Sequence, residues 1–85
     1  MQYVDFSADK LIRSIPSKIT GFSIGASAAA VVNIYDGTSS AGTIVFNVRI
    51  PINETVMFAN EGVLCSGGIY VDVVSGSVQG SVFVE

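Results

Sequence analysis

Apolar and polar residues alternate along most of this chain, in short bursts separated by small and turn-forming residues. The clearest burst covers residues 31–50, VVNIYDGTSSAGTIVFNVRI. In its second arm Ile44, Phe46, Val48 and Ile50 fall on one face, and Thr43, Val45, Asn47 and Arg49 on the other. That period of two predicts a half-buried strand. In the first arm Val32 and Ile34 point one way, and Val31, Asn33 and Tyr35 the other. Residues 36–42, DGTSSAG, make the turn, with Asp36 suited to bonding its own backbone and Gly37 free to take positive φ.

The same rhythm runs on either side. Phe22, Ile24 and Ala26 alternate with Gly21, Ser23 and Gly25, a strand whose glycine face lies close to another backbone or to solvent. Residues 51–54, PINE, break the ladder. Further strands are predicted at 55–59 and 63–65, with a turn at Asn60-Glu61-Gly62 between them. Gly67-Gly68 punctuates, strands follow at 69–74 and 78–84, and Ser75-Gly76 turns the chain between these two. Seven or eight short strands at spacings of about eight to twelve residues are the pattern of an all-β sandwich or barrel. The expected fold is a small antiparallel β-sandwich, jelly-roll-like, with an extended N-terminal arm.

Residues 1–17 differ from the rest, holding charge but no glycine and ending at Pro16-Ser17, where regular pairing is disfavoured. Leu11, Ile12 and Ile15 fit one face of a short helix starting after Ser7, whereas Leu11, Arg13 and Ile15 fit an alternating strand. The extended reading is preferred, either as an arm laid across a neighbouring subunit or as a first edge strand. The organisation expected is an arm or edge strand over 1–17 and a β-sandwich domain over 18–85.

Composition changes the picture in one respect. Of 85 residues, 49% are hydrophobic and only 13% charged, against about 25% charged in ordinary soluble domains. A surface short of charge favours contacts between chains. A domain of this size gains little from its own core, and small folds find support in disulfides, metals or partner subunits. One cysteine and no histidine exclude an internal disulfide and leave no structural zinc site, so a homo-oligomer is expected. The net charge of −3 argues against nucleic acid. No apolar run approaches the roughly 20 residues of a membrane span, and no cleaved secretion signal is visible in MQYVDFSADK.

Candidate chemistry is sparse. Gly21-Phe22-Ser23-Ile24-Gly25 matches the G-x-S-x-G nucleophile elbow in letters, but that motif needs a strand-to-helix turn and a histidine base. The carboxylates Asp5, Asp9, Asp36, Glu54, Glu61, Asp72 and Glu85 form no calcium-type run, and a glycosidase pair would need a cleft that so small a fold has little room for. Asn53-Glu54-Thr55 is a formal glycosylation sequon, meaningful only in a secreted eukaryotic protein. Cys65, beside Leu64, reads as a buried small hydrophobe. No catalytic residue, cofactor or metal is expected. Phe22, Phe46 and Phe58 suit the core. Tyr35 and Tyr70 fall on the opposite faces of their strands, where they suit an interface better than a sugar platform. The interface candidates are Tyr3, Phe6, Leu11, Ile15, Tyr35 and Tyr70.

Residues 18–24, KITGFSI, then 32–39, VNIYDGTS, then Gly42-Thr43-Ile44, with Phe58, Gly62-Val63 and Gly68-Ile69-Tyr70-Val71, resemble small all-β virion proteins of tailed bacteriophages. These are head decoration or cement proteins and related tail accessory modules. The likeness covers residues 18–85, and its strongest element is I-Y-D-G-T-S followed by G-T-I. The N-terminal part departs from it, with Pro16-Ser17 where a glycine-rich lead-in is expected. The resemblance implies a structural, non-enzymatic capsid decoration role in the virion after synthesis in the host cytoplasm. It also implies contacts with the major capsid or other virion proteins, and assembly in symmetric groups, trimers above all. A β-sandwich module that binds a receptor or glycan from the virion surface is the alternative.

Overall fold

Two strands are far longer than any segment the sequence pattern marks out, and they organise everything else. The computed structural model describes residues 2–85, apart from the side chain of residue 60. Its elements are β1 (Gln2–Phe6), β2 (Lys10–Arg13), β3 (Ser17–Asp36), β4 (Thr43–Ile50), β5 (Thr55–Cys65) and β6 (Ile69–Val84). All join in one six-stranded antiparallel sheet, and no helix occurs among the described residues.

Strands β3 and β6 pair along most of their length, from Ile19 opposite Val84 to Asp36 opposite Ile69. Each changes its outer neighbour midway. The first half of β3 pairs with β5 and its second half with β4. The end of β6 pairs with β1 and its beginning with β2. A straight strand of twenty residues would span roughly 65 Å, yet the longest dimension of the molecule is 32 Å. The long pair therefore bends, and it does so where its register slips repeatedly between Ala26 and Val32, opposite Ser75 to Ser77. Gly76 makes the bend possible: its φ is +85°, and a Cβ there would lie 2.4 Å from the Ala29 carbonyl oxygen and 2.6 Å from the Ala30 Cα.

The bend brings the two ends of the sheet together around one core. Phe22 on the first half of β3 meets Phe46 on β4 edge-to-face, ring centroids 5.3 Å apart, and stacks on Phe58 of β5 at 5.5 Å. Ile19, Ile24, Val32, Ile34, Ile50, Ile69, Val71, Val82 and Val84 fill the interior, and the edge strands add Phe6 and Ile12. Full burial of each such side chain contributes about 1.5–3 kcal/mol. The accessible surface is 4580 Å², against about 4800 Å² for a folded monomer of this mass.

Several expectations change. Six strands stand where seven or eight were expected, because the breaks at Ser75-Gly76 and Asn60-Glu61-Gly62 lie inside strands. The second is a bulge, with β5 moving from Ala59 to Val63 while β3 moves from Gly21 to Ile19. Residues 2–6 and 10–13 form edge strands on this chain's own sheet. Lys10 Nζ donates to the Asp5 carbonyl at 3.0 Å, and Arg13 Nη2 to Gln2 Oε1 at 2.6 Å, which ties the two together. The strict alternation of β4 also fails at one end. Tyr35 faces Ile44 and Ile34 faces Phe46, so Val45 is an extra residue and Ile44 turns outward. Phe46 is half-buried and Phe58 lies at the rim of the core rather than inside it.

Candidate functional site

Register across the sheet assembles what no single strand shows. Leu11 of β2 stands opposite Tyr70 of β6, Tyr70 opposite Tyr35 of β3, and Tyr35 opposite Ile44 of β4. Four neighbouring strands thus place one large apolar side chain each in a single row on the outer face, about 14 Å across three strand spacings. The tyrosine rings lie 6.4 Å apart at a tilt of 53°. Leu11 and Ile44, at the two ends, are 43% and 49% exposed, whereas Tyr35 keeps only 7% of its surface. The next row is polar. Asp72 and Asn47 flank Asn33, and Asn47 Nδ2 donates to Asn33 Oδ1 at 2.6 Å. An apolar strip beside a hydrogen-bonded polar strip has the layout of a protein contact with its rim.

The other half of the outer face repeats the arrangement. Tyr3, Phe83, Gly21 and Ala59 form a row across β1, β6, β3 and β5. The Phe83 ring lies over Gly21, 3.2 Å from where a Cβ would sit. Beside it runs Asp5, Ser81, Ser23 and Met57, with the Ser81 hydroxyl donating to the Asp5 carboxylate.

Of the six interface candidates, Leu11, Tyr35 and Tyr70 come together in one row, and Tyr3 is exposed in the other. Ile15 is exposed beyond the end of β2, where its carbonyl accepts from Ser17 Oγ at 3.2 Å. Phe6 packs in the core. Ile44 and Met57, with Ile52, Leu64 and Val74, are also exposed and escaped the sequence reading, Ile44 because the bulge at Val45 carries no local signal.

An open polar hollow of about 1210 Å³ lies at the bend, lined among others by Asp5, Asp9, Lys10, Ser23, Glu54 and Gln79. Ser23, the serine of the elbow-like motif, sits in mid-strand on β3, and the chain holds no histidine to take its proton. Among the described residues no group of His, Cys, Asp or Glu is placed to hold a metal ion.

Two titrating groups are displaced. Cys65 is fully buried, and burial, helped by the charge of Asp36, pushes its thiol up to about 11. Asp36 shapes its loop through a distant partner and not its own backbone, accepting the Gly67 N–H at 2.8 Å. Asp72 is pushed upward by desolvation first, then by the charge of Asp9 and a hydrogen bond with it. Asp9 itself accepts the Val73 N–H at 2.7 Å, which holds the two carboxyl groups side by side.

Comparison with protein-family models, with curated proteins and with solved structures finds no match to this chain.

Proposed function

We propose that this chain is a structural, non-enzymatic virion subunit of a tailed bacteriophage, a decoration or cement-type protein that reinforces a shell by contacting its neighbours. The observation that carries this reading is the row Leu11–Tyr70–Tyr35–Ile44 on the outer face, exposed at its two ends and bordered by a polar row. The resemblance of residues 18–85 to phage virion proteins supplies the setting: the outer surface of the capsid, groups of three and the major capsid protein as partner. The two ends of the bent sheet are read as the two layers of a small sandwich. A jelly roll reaches such layering with eight strands, and on this reading six serve because β3 and β6, each pairing with two outer strands in turn, would run through both layers.

The end residues of the row set the scale of a contact. Burying the exposed half of Leu11 and of Ile44 contributes about 0.7–1.5 kcal/mol each, and repetition around a symmetric shell multiplies it. Mass spectrometry of purified particles is expected to find the chain. Leu11→Ser combined with Ile44→Ser is expected to weaken binding to particles roughly 10- to 100-fold while leaving the fold intact. Absence from particles, or undiminished binding by the double variant, would overturn the reading.

A glycan-binding module displayed on the virion is the second reading, and the polar hollow at the bend favours it, since hydroxyls and carboxylates surround it. Tyr35 is too buried to serve as a stacking platform. Glycan-array binding lost in Glu54→Gln but kept in the Leu11/Ile44 double variant would select this reading over the first.

A further inference from the structure

We propose that β5 is a pairing edge whose occupant is the β5 strand of a second copy of this chain, joined antiparallel about Met57 so that two sheets run on as one. The inference does not depend on the virion reading, and it departs from the groups of three that the resemblance implies. It starts from a difference between the two flanks of the sheet. On one flank β1 and β2 are five and four residues long, carry Asp5, Lys10 and Arg13, and are tied by the two side-chain bonds described above. Short length and charge are the devices that keep a sheet edge from pairing. On the other flank β4 and β5 run eight and eleven residues with Arg49 and Glu61 as their only charges.

Within β5 the stretch 55–59, TVMFA, has no charge, no proline and no bulge, since the register first slips beyond Ala59. Met57 is 72% exposed. The backbone groups that face outward follow from the start of the ladder. Ala26 N–H donates to the Glu54 carbonyl at 3.0 Å, and the Ala26 carbonyl accepts from Asn53 N–H at 2.8 Å. Antiparallel bonding recurs at every second residue, so Val56 and Phe58 turn their N–H and C=O toward Ile24 and Phe22. Thr55, Met57 and Ala59 turn theirs away, and among the described residues β5 pairs with β3 alone.

That outward set is its own complement. With two β5 strands antiparallel about Met57, Thr55 meets Ala59 of the other copy and Met57 meets Met57, each as a hydrogen-bonded pair. Val56 and Phe58 meet each other across the join, covering the exposed rim of the Phe22–Phe46–Phe58 cluster. No charge faces a charge. Only this register pairs the whole of 55–59: centring on Thr55 or Val56 would run into the Pro51–Glu54 turn, and centring on Phe58 or Ala59 would run into the bulge. A flank of the molecule, 17 Å thick and 25–32 Å long, offers roughly 500 Å² per copy, about 1,000 Å² in total, at the lower limit for a specific interface. The dimer is therefore concentration-dependent.

Cross-linking tests the register directly. In a hydrogen-bonded antiparallel pair the Cα atoms lie about 5.5 Å apart, within disulfide reach. Met57→Cys is expected to give a covalent dimer on mild oxidation. Ser23→Cys, one strand further in and about 14 Å from its mate, is expected to give none, and Cys65 is buried. Met57→Pro removes an outward N–H without touching the β3 ladder. It is expected to sediment as a monomer, with an unchanged far-UV spectrum, at concentrations where the wild-type chain is a dimer. A wild-type monomer up to about 1 mM, a trimer, or a dimer in which Met57→Cys fails to link would overturn the proposal. A monomer in solution that still binds particles would overturn it while sparing the virion reading.

Discussion

Replacing Gly76 by alanine tests whether the bend in β6 is the joint on which the fold turns. Two costs add. With φ at +85° an L-residue pays about 1–2 kcal/mol for a left-handed backbone. The new Cβ would sit 2.4 Å from the Ala29 carbonyl oxygen, 2.6 Å from the Ala30 Cα and 2.7 Å from its Cβ. These are atoms of a facing backbone that cannot rotate away, and overpacking of this kind costs about 1–3 kcal/mol. The expected loss is roughly 2–5 kcal/mol, against a total stability of about 4–13 kcal/mol for a chain of this length. At about 4–8 °C per kcal/mol the midpoint falls by roughly 8–40 °C.

The same substitution at Gly25 is the control. Its φ is not positive, and its nearest neighbour would be the Thr55 hydroxyl at 3.2 Å. There the exposed Thr55 side chain can turn aside, alanine stiffens the unfolded chain, and the substitution is expected to be neutral or stabilising by up to about 1 kcal/mol. Urea unfolding followed by far-UV circular dichroism reads both variants, and tyrosine fluorescence serves as a second probe in a chain without tryptophan. Equal losses at Gly25 and Gly76, or a loss below about 1 kcal/mol at Gly76, would refute the assignment of the bend to this residue.

Other outcomes follow from the same contacts. Phe22→Ala should cost about 3–5 kcal/mol, and a double-mutant cycle with Phe46→Ala should show a coupling of about 0.5–1.5 kcal/mol. Zero coupling would mean that the two ends of the sheet do not face each other. Asp72 has a raised carboxyl in the folded state, so its contribution favours folding below the unfolded value and is lost as pH rises through the folded one. Asp72→Asn should therefore raise stability at pH 7 by a few tenths of a kcal/mol, the effect being screened at this exposed site, and change nothing at pH 3. A destabilised Asn variant at pH 7 would contradict that sign. Cys65, buried and pushed up to about 11, should react with a thiol reagent at pH 8 only as fast as the chain opens, so labelling that outpaces unfolding would rule out its burial.

The alternation of apolar residues made the strands legible, and the core residues Phe22, Ile24, Val32, Ile34, Val48 and Ile50 follow from it directly. Continuity was not legible. Glycine serves both a turn between strands and a bend within one. What distinguishes Gly76 from a hairpin turn is that β3 kinks at the same level, at Ala29 and Ala30, and that is a property of the partner strand. The candidate surface divides in the same way. Leu11, Tyr35 and Tyr70 could each be picked out as large residues off the core face, but their alignment depends on register between strands far apart in sequence. Ile44 was lost because one extra residue, Val45, moves it to the other face, a one-residue slip that reverses every side chain beyond it.

The two flanks of the sheet give the low charge content of the chain a location. Because β3 and β6 are shared by both ends, four shorter strands alone decide what the edges present. Two of the four cations and three of the seven carboxylates lie in or near the edge formed by β1 and β2: Lys10 and Arg13, with Asp5, Asp9 and Asp72. The opposite flank carries Arg49, Glu54 and Glu61, with Lys18 opposite Leu64 of β5, and is uncharged over residues 55–59, with Met57 and the rim of Phe58 beside it. Evenly scattered charge would keep copies apart on every side. A stretch of edge without charge, residues 55–59, suits a neighbouring strand that is itself uncharged and regular. The apolar row through Tyr35 and Tyr70 lies on a face of the sheet and the uncharged stretch 55–59 on its flank, so the second copy and the different partner proposed above would occupy separate surfaces.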